Sequence, residues 1–182
     1  FIRKNKIRSL KLKIKKYIGG TLKSNGYVIY QQVEGKCYII DPGYNAEKFI
    51  NFVKENKLDL MGVILTHHHS DHIGGAEEIR EAFNCPVMIH RADLDLYKNP
   101  IDVILEDGQK ICLEDEELEI INTPGHTKGS ICICSKKSKI VFTGDTIFST
   151  GIGRTDLKDG SESEMNSSIT NIIDKWPNDF MP

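Results

Sequence analysis

The sequence predicts a single layered α/β domain, in which mixed β-sheets carry helices on their outer faces. Three observations lead to this fold class. Short strand-like apolar segments recur along the chain, amphipathic helical segments lie among them, and paired strands early in the chain give way to strands that alternate with helices. The length of 182 residues suits one domain of about 100–200 residues. Hydrophobic residues make up 39% of the chain and charged residues 27%, which excludes a disordered or collagen-like protein.

The predicted strands are short apolar runs, most of which end in a loop that begins with Gly, Asp, Thr or His. They cover residues 27–32, 36–40, 61–66, 86–90, 118–122, 130–135 and 139–143. The predicted helices are segments in which apolar residues repeat at helical spacing. They cover residues 45–58, 74–83 and 162–175, and residues 91–98 also have helical character. We expect the last helix to turn Met165, Ile169, Ile172 and Ile173 inward.

The N-terminal arm has an uneven charge. Residues 1–33 carry nine Lys or Arg and no Asp or Glu, whereas the rest of the chain carries 15 basic and 26 acidic residues. Leu10, Leu12 and Ile14 alternate with lysines at the period of a strand, which predicts an edge strand with these three side chains facing the core and the lysines facing water. The alternative is a patch for a polyanion or a membrane. We favour the edge strand.

Cellular compartment is indicated by the cysteines and by the apolar runs. The chain has five cysteines and no C-x-x-C pair, which argues against a disulfide framework. No apolar run approaches the roughly 20 residues that span a bilayer, and the N-terminus lacks the apolar stretch of a secretory signal. We therefore expect a reduced, cytoplasmic protein with no membrane partner. Cys132 and Cys134 share one face of a strand-like run, where we favour core packing over metal ligation.

Four histidines and an aspartate lie within six residues, directly after the apolar run MGVIL. His67 and His69 are two apart in extended chain and project to the same side, while Asp71 and His72 can reach the same cavity from the start of the next helix. Imidazole nitrogens and carboxylate oxygens suit Zn, Fe or Mn in a hydrolytic or redox site. His68 points the other way and is expected to pack or to support its neighbours. A polyhistidine purification tag is the alternative explanation of this run, but such tags lie at a terminus, whereas this run lies between a predicted strand and a predicted helix.

Two later segments deliver one polar side chain each at the end of a strand. In INTPGHT a Pro-Gly turn presents His126, and in IVFTGDT the apolar run ends directly before Asp145. Alone, each would be an ordinary cap or surface residue, but beside the histidine cluster each becomes a candidate metal ligand. Asp41 in IIDPG also ends a strand, and we interpret it as a carboxylate that holds a ligand loop through backbone hydrogen bonds.

These motifs together resemble the metallo-β-lactamase superfamily, in its short glyoxalase II-like hydrolase branch. From about residue 15 onwards the chain has, in family order, IDPG, HHHSDH, PGHT, TGD and the segment GRTDL. The resemblance implies an αββα sandwich: two mixed sheets packed face to face with helices on the outer faces and the metal centre at one edge between the sheets. It implies that His67, His69 and His126 hold one metal, that Asp71 and His72 help to hold a second, and that Asp145 bridges the two.

The sequence departs from the family pattern in three places. The family normally supplies a last ligand histidine after the final amphipathic helix, and no such residue follows here. We therefore expect residues 1–182 to form one metallo-β-lactamase-like domain that lacks its last C-terminal segment. Asp145 occupies the bridging position, which disfavours the true β-lactamases that use zinc and have a cysteine there. The helical region that shapes the glutathione site of glyoxalase II has no counterpart here.

The implied activity is metal-dependent hydrolysis of a small-molecule thioester or ester. Two divalent ions, Zn in first place and Fe or Mn as alternatives, would generate a bridging hydroxide near neutral pH. The hydroxide would attack the carbonyl, and Asp71 would be the catalytic residue that orients it and accepts its proton. The acyl group and the oligomeric state do not follow from the sequence.

Two other classes of function stay open. A mononuclear iron persulfide dioxygenase of the same superfamily would use His67, His126 and Asp145 as a facial triad. A metal-binding protein without catalysis, or a nuclease-like relative, is the third class, and the acidic body of the chain argues against nucleic acid as a partner. Lys128 and Arg154 lie beside ligand segments, but a basic residue near a loop is more often an ion pair than a substrate contact.

Overall fold

Twelve strands form three sheets in the part of the chain that the computed structural model describes, residues 10–173 and residue 176. The largest sheet has six strands that lie side by side in chain order. Its first three strands pair antiparallel and its last four pair parallel, so the sheet is mixed. The strands are β1 (Lys13–Gly19), β2 (Ser24–Tyr30), β3 (Lys36–Ile40), β4 (Asp59–Ile64), β5 (Val87–His90) and β6 (Val103–Leu105).

The second sheet has four strands, and every pair in it is antiparallel. Its strands lie in the reverse of chain order, from β10 to β7. A separate two-stranded hairpin follows it in the chain. These strands are β7 (Lys110–Leu113), β8 (Glu116–Asn122), β9 (Ile131–Ser135), β10 (Ile140–Phe142), β11 (Ile147–Phe148) and β12 (Gly151–Ile152).

The helices follow the predicted apolar spacing. They are α1 (Ala46–Glu55), α2 (Ser70–Ile73), α3 (Ala76–Phe83) and α4 (Glu162–Ile173), and the segment Arg91–Leu96 forms a 3₁₀ helix. The first and third are shorter than predicted, whereas residues 174 and 175 of the predicted last helix lie outside the described part of the chain. In α1, the side chains of Ala46, Phe49, Ile50 and Val53 are buried. In α4, Met165 and Ile172 are buried as predicted, and Ile169 is half-buried. Helices α1 and α3 therefore each place one apolar stripe against the large sheet.

The core shows that the two sheets pack face to face with helices outside. One apolar cluster lies between the large sheet and helices α1 and α3, and a second lies between the two sheets. Neighbouring residues of β3 divide between them, because Ile39 joins the first cluster and Ile40 joins the second. A third cluster, which includes Val141 and Trp176, covers the outer face of the second sheet. The expected αββα sandwich is confirmed, and strands buried on both faces explain the continuous apolar runs of the sequence.

The edge-strand interpretation of the basic arm is correct in position and partly wrong in detail. β1 pairs only with β2 and its lysines are exposed, as an edge strand requires. Leu12 is buried, but Leu10 and Ile14 are each 40% exposed and do not face the core. The strand begins only at Lys13. Residues 1–9 lie outside the described part of the chain.

All five cysteines lie in the described part of the chain and are unpaired. Cys132 and Cys134 are fully buried in the third apolar cluster, as their core interpretation predicts. No helix in the described ranges is long and apolar enough to cross a bilayer. Four short strands, β6, β7, β11 and β12, and the single-turn helix α2 were not predicted, because segments of two to four residues carry too little periodicity.

Candidate metal centre

Loops that follow three strands bring the predicted ligands to one edge of the sandwich. The segment His67 to His72 follows β4, the turn that holds His126 follows β8, and Asp145 follows β10. β4 belongs to the large sheet, whereas β8 and β10 belong to the small one. The face-to-face packing of the sheets therefore brings together residues that lie far apart in the sequence.

His67, His69 and His126 form the first ligand group. Each offers one ring nitrogen, and the three nitrogens lie within 4.8 Å of one another. Nδ1 of His69 lies 2.9 Å from Nε2 of His126. Nε2 of His67 is buried and has no hydrogen-bond partner in the described structure. A buried polar atom without a partner is costly in a folded protein, so this nitrogen requires a ligand.

Hydrogen bonds behind the rings fix the direction of their lone pairs. Nδ1 of His126 lies 2.8 Å from the carbonyl oxygen of Arg154, which only accepts, so this nitrogen carries the hydrogen. Thr66 Oγ1 donates to Asp41 at 2.6 Å and lies 3.1 Å from Nδ1 of His67, which therefore donates to the hydroxyl oxygen. The Nε2 atoms of His67 and His126 consequently present lone pairs to the cluster, as metal-binding imidazoles do.

Asp71, His72 and Asp145 form the second ligand group. Nε2 of His72 lies 3.5 Å from Oδ2 of Asp71 and 3.1 Å from Oδ1 of Asp145. The other oxygen of Asp145, Oδ2, lies 3.4 Å from Nε2 of His126 in the first group. The Asp145 carboxylate therefore spans the two groups, which is the place of a bridging ligand.

The charges of the cluster favour a cation between the two groups. Burial opposes the charged form of His72, but the Asp41 and Asp145 carboxylates outweigh it and raise its pKa to about 10. Burial likewise opposes the charged form of Asp145, but the hydrogen bond and positive charge of His72 hold its pKa below the usual value. The carboxylates thus hold a proton at His72, and a divalent ion would compete with that proton for the same nitrogen.

Burial favours the neutral form of two rings in the first group, His67 and His69. Burial, with the neighbouring imidazoles, holds the pKa of His67 well below its usual value. Burial and the His126 and His68 rings lower the pKa of His69 to about 4. Metal binding requires neutral imidazole, so these two rings are available as ligands at neutral pH without losing a proton.

Asp41 supports the ligands, as the sequence interpretation expects. Its Oδ1 accepts the Thr66 backbone N–H at 2.7 Å, and its Oδ2 accepts the Thr66 hydroxyl at 2.6 Å and Nδ1 of His72 at 2.9 Å. Both oxygens are therefore engaged, although Asp41 lies close enough to His67 and His72 to be counted among metal-ligating groups. Its backbone has the left-handed φ of 48°, a conformation that the surrounding structure must hold in place.

Three supporting contacts around the cluster were not predicted. Ser24 Oγ donates to Oδ2 of Asp71 at 2.5 Å, from the start of β2. Asp93 accepts hydrogen bonds from both the backbone N–H and the Nδ1 of His68. His68 thus points away from the candidate ligands, as expected. Its expected role in supporting its neighbours is carried by these hydrogen bonds to Asp93. The third contact is the carbonyl oxygen of Arg154 that accepts from His126. No sequence motif marks these partners, because serines, aspartates and backbone carbonyls occur everywhere.

The two basic residues beside the ligand segments differ in role. The guanidinium of Arg154 makes two hydrogen bonds to Asp156, at 2.7 and 2.8 Å, and the residue is exposed. Lys128 is also exposed, and its carbonyl oxygen accepts from the Asn122 amide. The ion-pair interpretation of Arg154 is therefore confirmed, and its contribution to the cluster comes from the backbone.

The ligand cluster opens into a cavity of about 730 Å³. All three residues of the second group line this cavity, and so do His69 and His126 of the first. Both groups therefore face a space that a small molecule can enter. Apolar walls come from both hairpins beside the cavity: Leu22, Tyr27, Ile147 and Phe148. The volume lies in the usual range of about 300–1,000 Å³ for small-molecule sites.

Gly153 provides a test of how closely the loops around Asp145 must pack. A Cβ at position 153 would lie 1.7 Å from the carbonyl oxygen of Asp145, whereas a Cβ at Gly151 would meet nothing within 4 Å. We expect Gly153→Ala to displace Asp145, to lower stability by about 1–3 kcal/mol and to weaken metal binding. Gly151→Ala is the matched control. Urea unfolding measures the stability of both variants, and metal titration measures their affinity for the ion. If the two variants had equal stability and equal affinity, the close approach of Gly153 to Asp145 would not matter for the site.

The donor set fits divalent metal ions. Three imidazole nitrogens come together in the first group, and one imidazole faces two carboxylates in the second. No cysteine takes part in these two described groups, and one nitrogen is buried without a partner. Such mixed N and O ligands suit Zn, Fe or Mn. His67, His69, His126 and Asp145 would hold the first ion, and Asp71, His72 and Asp145 would hold the second.

Comparisons with known proteins point to one family. The sequence model of the metallo-beta-lactamase superfamily matches residues 19–178. A hydroxyacylglutathione hydrolase of Bdellovibrio bacteriovorus is 38% identical over 129 residues, which are 70% of this chain and 50% of that protein. The chain therefore spans about half the length of this relative.

Solved structures show the same fold. The crystal structure of BLEG-1 B3 metallo-beta-lactamase superposes with a TM-score of 0.84 at 30% identity, over 91% of this chain and 87% of that one. The crystal structure of TTHA1623 in a di-iron-bound form has a TM-score of 0.78 at 28% identity, over 88% of this chain and 86% of that one. The match covers the αββα core together with the loops that carry the ligands, and so the chain belongs to the metallo-beta-lactamase superfamily.

Proposed function

We propose that this protein is a thioester hydrolase of the hydroxyacylglutathione hydrolase type, with two divalent metal ions at its centre. The superfamily is one of metal-dependent hydrolases, and the finer assignment rests on one observation. The Asp145 carboxylate lies between His72 of the second ligand group and His126 of the first, at 3.1 and 3.4 Å. A carboxylate in this position supports a binuclear centre over a single ion.

The residues around the centre have separate tasks. Bound divalent ions would bring the pKa of a water molecule towards about 7 and polarise a substrate carbonyl. Asp71 is held by Ser24 with one oxygen, lies at the cavity wall and is only partly buried. From there it orients the attacking water and accepts its proton. Asp41 and the Arg154 carbonyl keep His72 and His126 in the orientation in which Nε2 faces the cavity.

The substrate class is supported by the relative and by the cavity. The Bdellovibrio bacteriovorus relative is named a hydroxyacylglutathione hydrolase. Asp145 stands at the position where one group of zinc β-lactamases carries a cysteine, which disfavours that group. The cavity combines apolar walls with Lys16 and Lys23 at the β1–β2 hairpin. These basic side chains suit a substrate that carries carboxylates.

The test is a substrate comparison on protein of known metal content. Thiol release from a hydroxyacylglutathione thioester is followed alongside hydrolysis of a simple oxygen ester and of a β-lactam, with zinc, iron and manganese forms of the enzyme. We expect about two ions per chain and fastest turnover of the thioester. Oxygen consumption with glutathione persulfide, at about one iron per chain, would identify the mononuclear dioxygenase instead. Metal binding without turnover of any of these substrates would contradict the hydrolase assignment.

Asp71→Asn tests the role of the proposed proton acceptor. The amide keeps the shape of the side chain and its contact with Ser24, but it cannot accept a proton at neutral pH. We expect kcat for the thioester to fall by about 10²–10⁴, the usual contribution of a positioned acid or base. Elemental analysis of the same sample separates loss of the proton acceptor from loss of the second ion. Wild-type turnover would rule out a catalytic role for Asp71.

A further inference from the structure

Asp93 is a buried aspartate outside the ligand cluster that contacts two of the loops that carry ligands. It lies in the 3₁₀ helix Arg91–Leu96, and its side chain is fully buried. Its Oδ2 accepts the backbone N–H of His68 at 3.0 Å, Nδ1 of His68 at 2.8 Å and the Thr127 hydroxyl at 2.9 Å. Its Oδ1 accepts the backbone N–H of Gly129 at 2.6 Å. Four donors therefore surround one carboxylate.

The donors to Asp93 are neighbours of the ligands in the sequence. His68 lies between two ligands of the first group, and Thr127 directly follows the third. Since the backbone N–H of His68 and the loop at Thr127 and Gly129 are held by one side chain, Asp93 sets the distance between the two loops. That distance decides whether three imidazoles can reach one ion.

Only a carboxylate satisfies these four donors. Burial would raise the pKa of Asp93, but the hydrogen bonds from His68, Thr127 and Gly129 hold it below the usual value, so the side chain stays ionised at neutral pH. An amide in its place would turn an NH₂ group towards at least one N–H or O–H donor. The fit is also close, because a Cβ at position 129 would lie 2.5 Å from Cγ of Asp93. The position therefore needs both the charge and the short side chain.

We propose that Asp93 is a positioning residue for the metal centre. Its carboxylate holds the loop of His67 and His69 and the loop of His126 at the spacing that binds one divalent ion. It acts through Thr127 and through the backbone of His68 and Gly129. The proposal rests on the metal centre of the proposed function and adds to it a residue that shares no sequence motif with the ligands.

Asp93→Asn tests the proposal in the full chain, with Asp95→Asn as its matched control. Asp95 lies in the same 3₁₀ helix and is exposed. Affinity for Zn²⁺ is measured by competition with a chelator, and the geometry of the centre is read from the absorption spectrum of the Co²⁺ form. We expect Asp93→Asn to weaken metal binding by roughly 10- to 100-fold, the usual effect of losing a partner behind the ligands, and to change the Co²⁺ spectrum. Asp95→Asn should match the wild type in both.

Each outcome decides the question. If Asp93→Asn melts at a lower temperature but keeps wild-type Zn²⁺ affinity and Co²⁺ spectrum, Asp93 only stabilises the fold and the proposal is overturned. If that variant does not fold, Thr127→Val removes a single donor and should still weaken Zn²⁺ binding, whereas unchanged affinity would overturn the proposal. If the wild type itself binds neither metal, the proposed function fails together with the role of Asp93.

Discussion

Replacing Asp145 with alanine is expected to reduce thioester hydrolysis at least about a thousandfold. The carboxylate lies within 3.1 Å of His72 and 3.4 Å of His126, so its loss removes the one group that belongs to both ligand sets. Lewis-acid stabilisation by a bound ion is worth several kcal/mol, and each 1.4 kcal/mol corresponds to about tenfold in rate. Steady-state kinetics with the hydroxyacylglutathione thioester measures the loss, and elemental analysis should find fewer ions per chain.

Asp115→Ala is the control for this variant. Asp115 is an exposed carboxylate that pairs with Lys137 at 2.6 Å on the surface, and its removal should leave kinetics and metal content at wild-type values. Replacement of Asp145 without a change in turnover or metal content would remove the basis for a bridging ligand. The centre would then consist of the three histidines of the first group alone.

Removal of divalent ions is expected to lower thermal stability by about 8–16 °C and to abolish hydrolysis. A ligand at about 1,000 times its Kd stabilises the native state by about 4 kcal/mol, and 1 kcal/mol corresponds to about 2–4 °C for a chain of this size. The physical reason lies in the cluster, where Nε2 of His67 is buried without a partner and the carboxylates of Asp71 and Asp145 face one imidazole. One ion in each ligand group would satisfy the nitrogen of His67 in the first group and the carboxylates in the second.

The measurement compares melting curves of the chelated protein before and after one metal at a time is restored. Zinc, manganese and iron should each recover part of the stability, and the ion that also restores thioester hydrolysis identifies the functional form. Calcium serves as the control ion, because it prefers six to eight oxygen ligands and the first group offers three nitrogens. A melting temperature that does not respond to any of these ions would contradict a metal centre at this site.

The sequence was sufficient to predict the layered fold and the ligand cluster because both depend on local patterns. Short apolar runs predicted strands, and two of these runs form β3 and β4, whose residues are buried on both faces of the large sheet. The candidate ligands could be singled out because they lie in segments that follow strands. Their residue types are uncommon enough in this pattern to stand out, as the HHHSDH segment shows.

Short elements and the edge of the large sheet were less predictable. β6 and β11 have only three and two residues, which is too few to show a period. Leu10 and Ile14 alternate with lysines as core residues would, yet both are 40% exposed, while Leu12 between them is buried. Alternation indicates which side chains share a face, but the burial of that face depends on the neighbouring layer.

The sequence by itself therefore determined the αββα fold class and the identity of the proposed metal ligands, since these lie in contiguous motifs at strand ends. Only the tertiary structure decided which partners hold those ligands. Ser24 and Asp71 are 47 positions apart, and Asp93 and His68 are 25 apart. Such contacts form when separate strands pack into one sandwich, and no local pattern encodes them. The distances between the two ligand groups follow from the same packing.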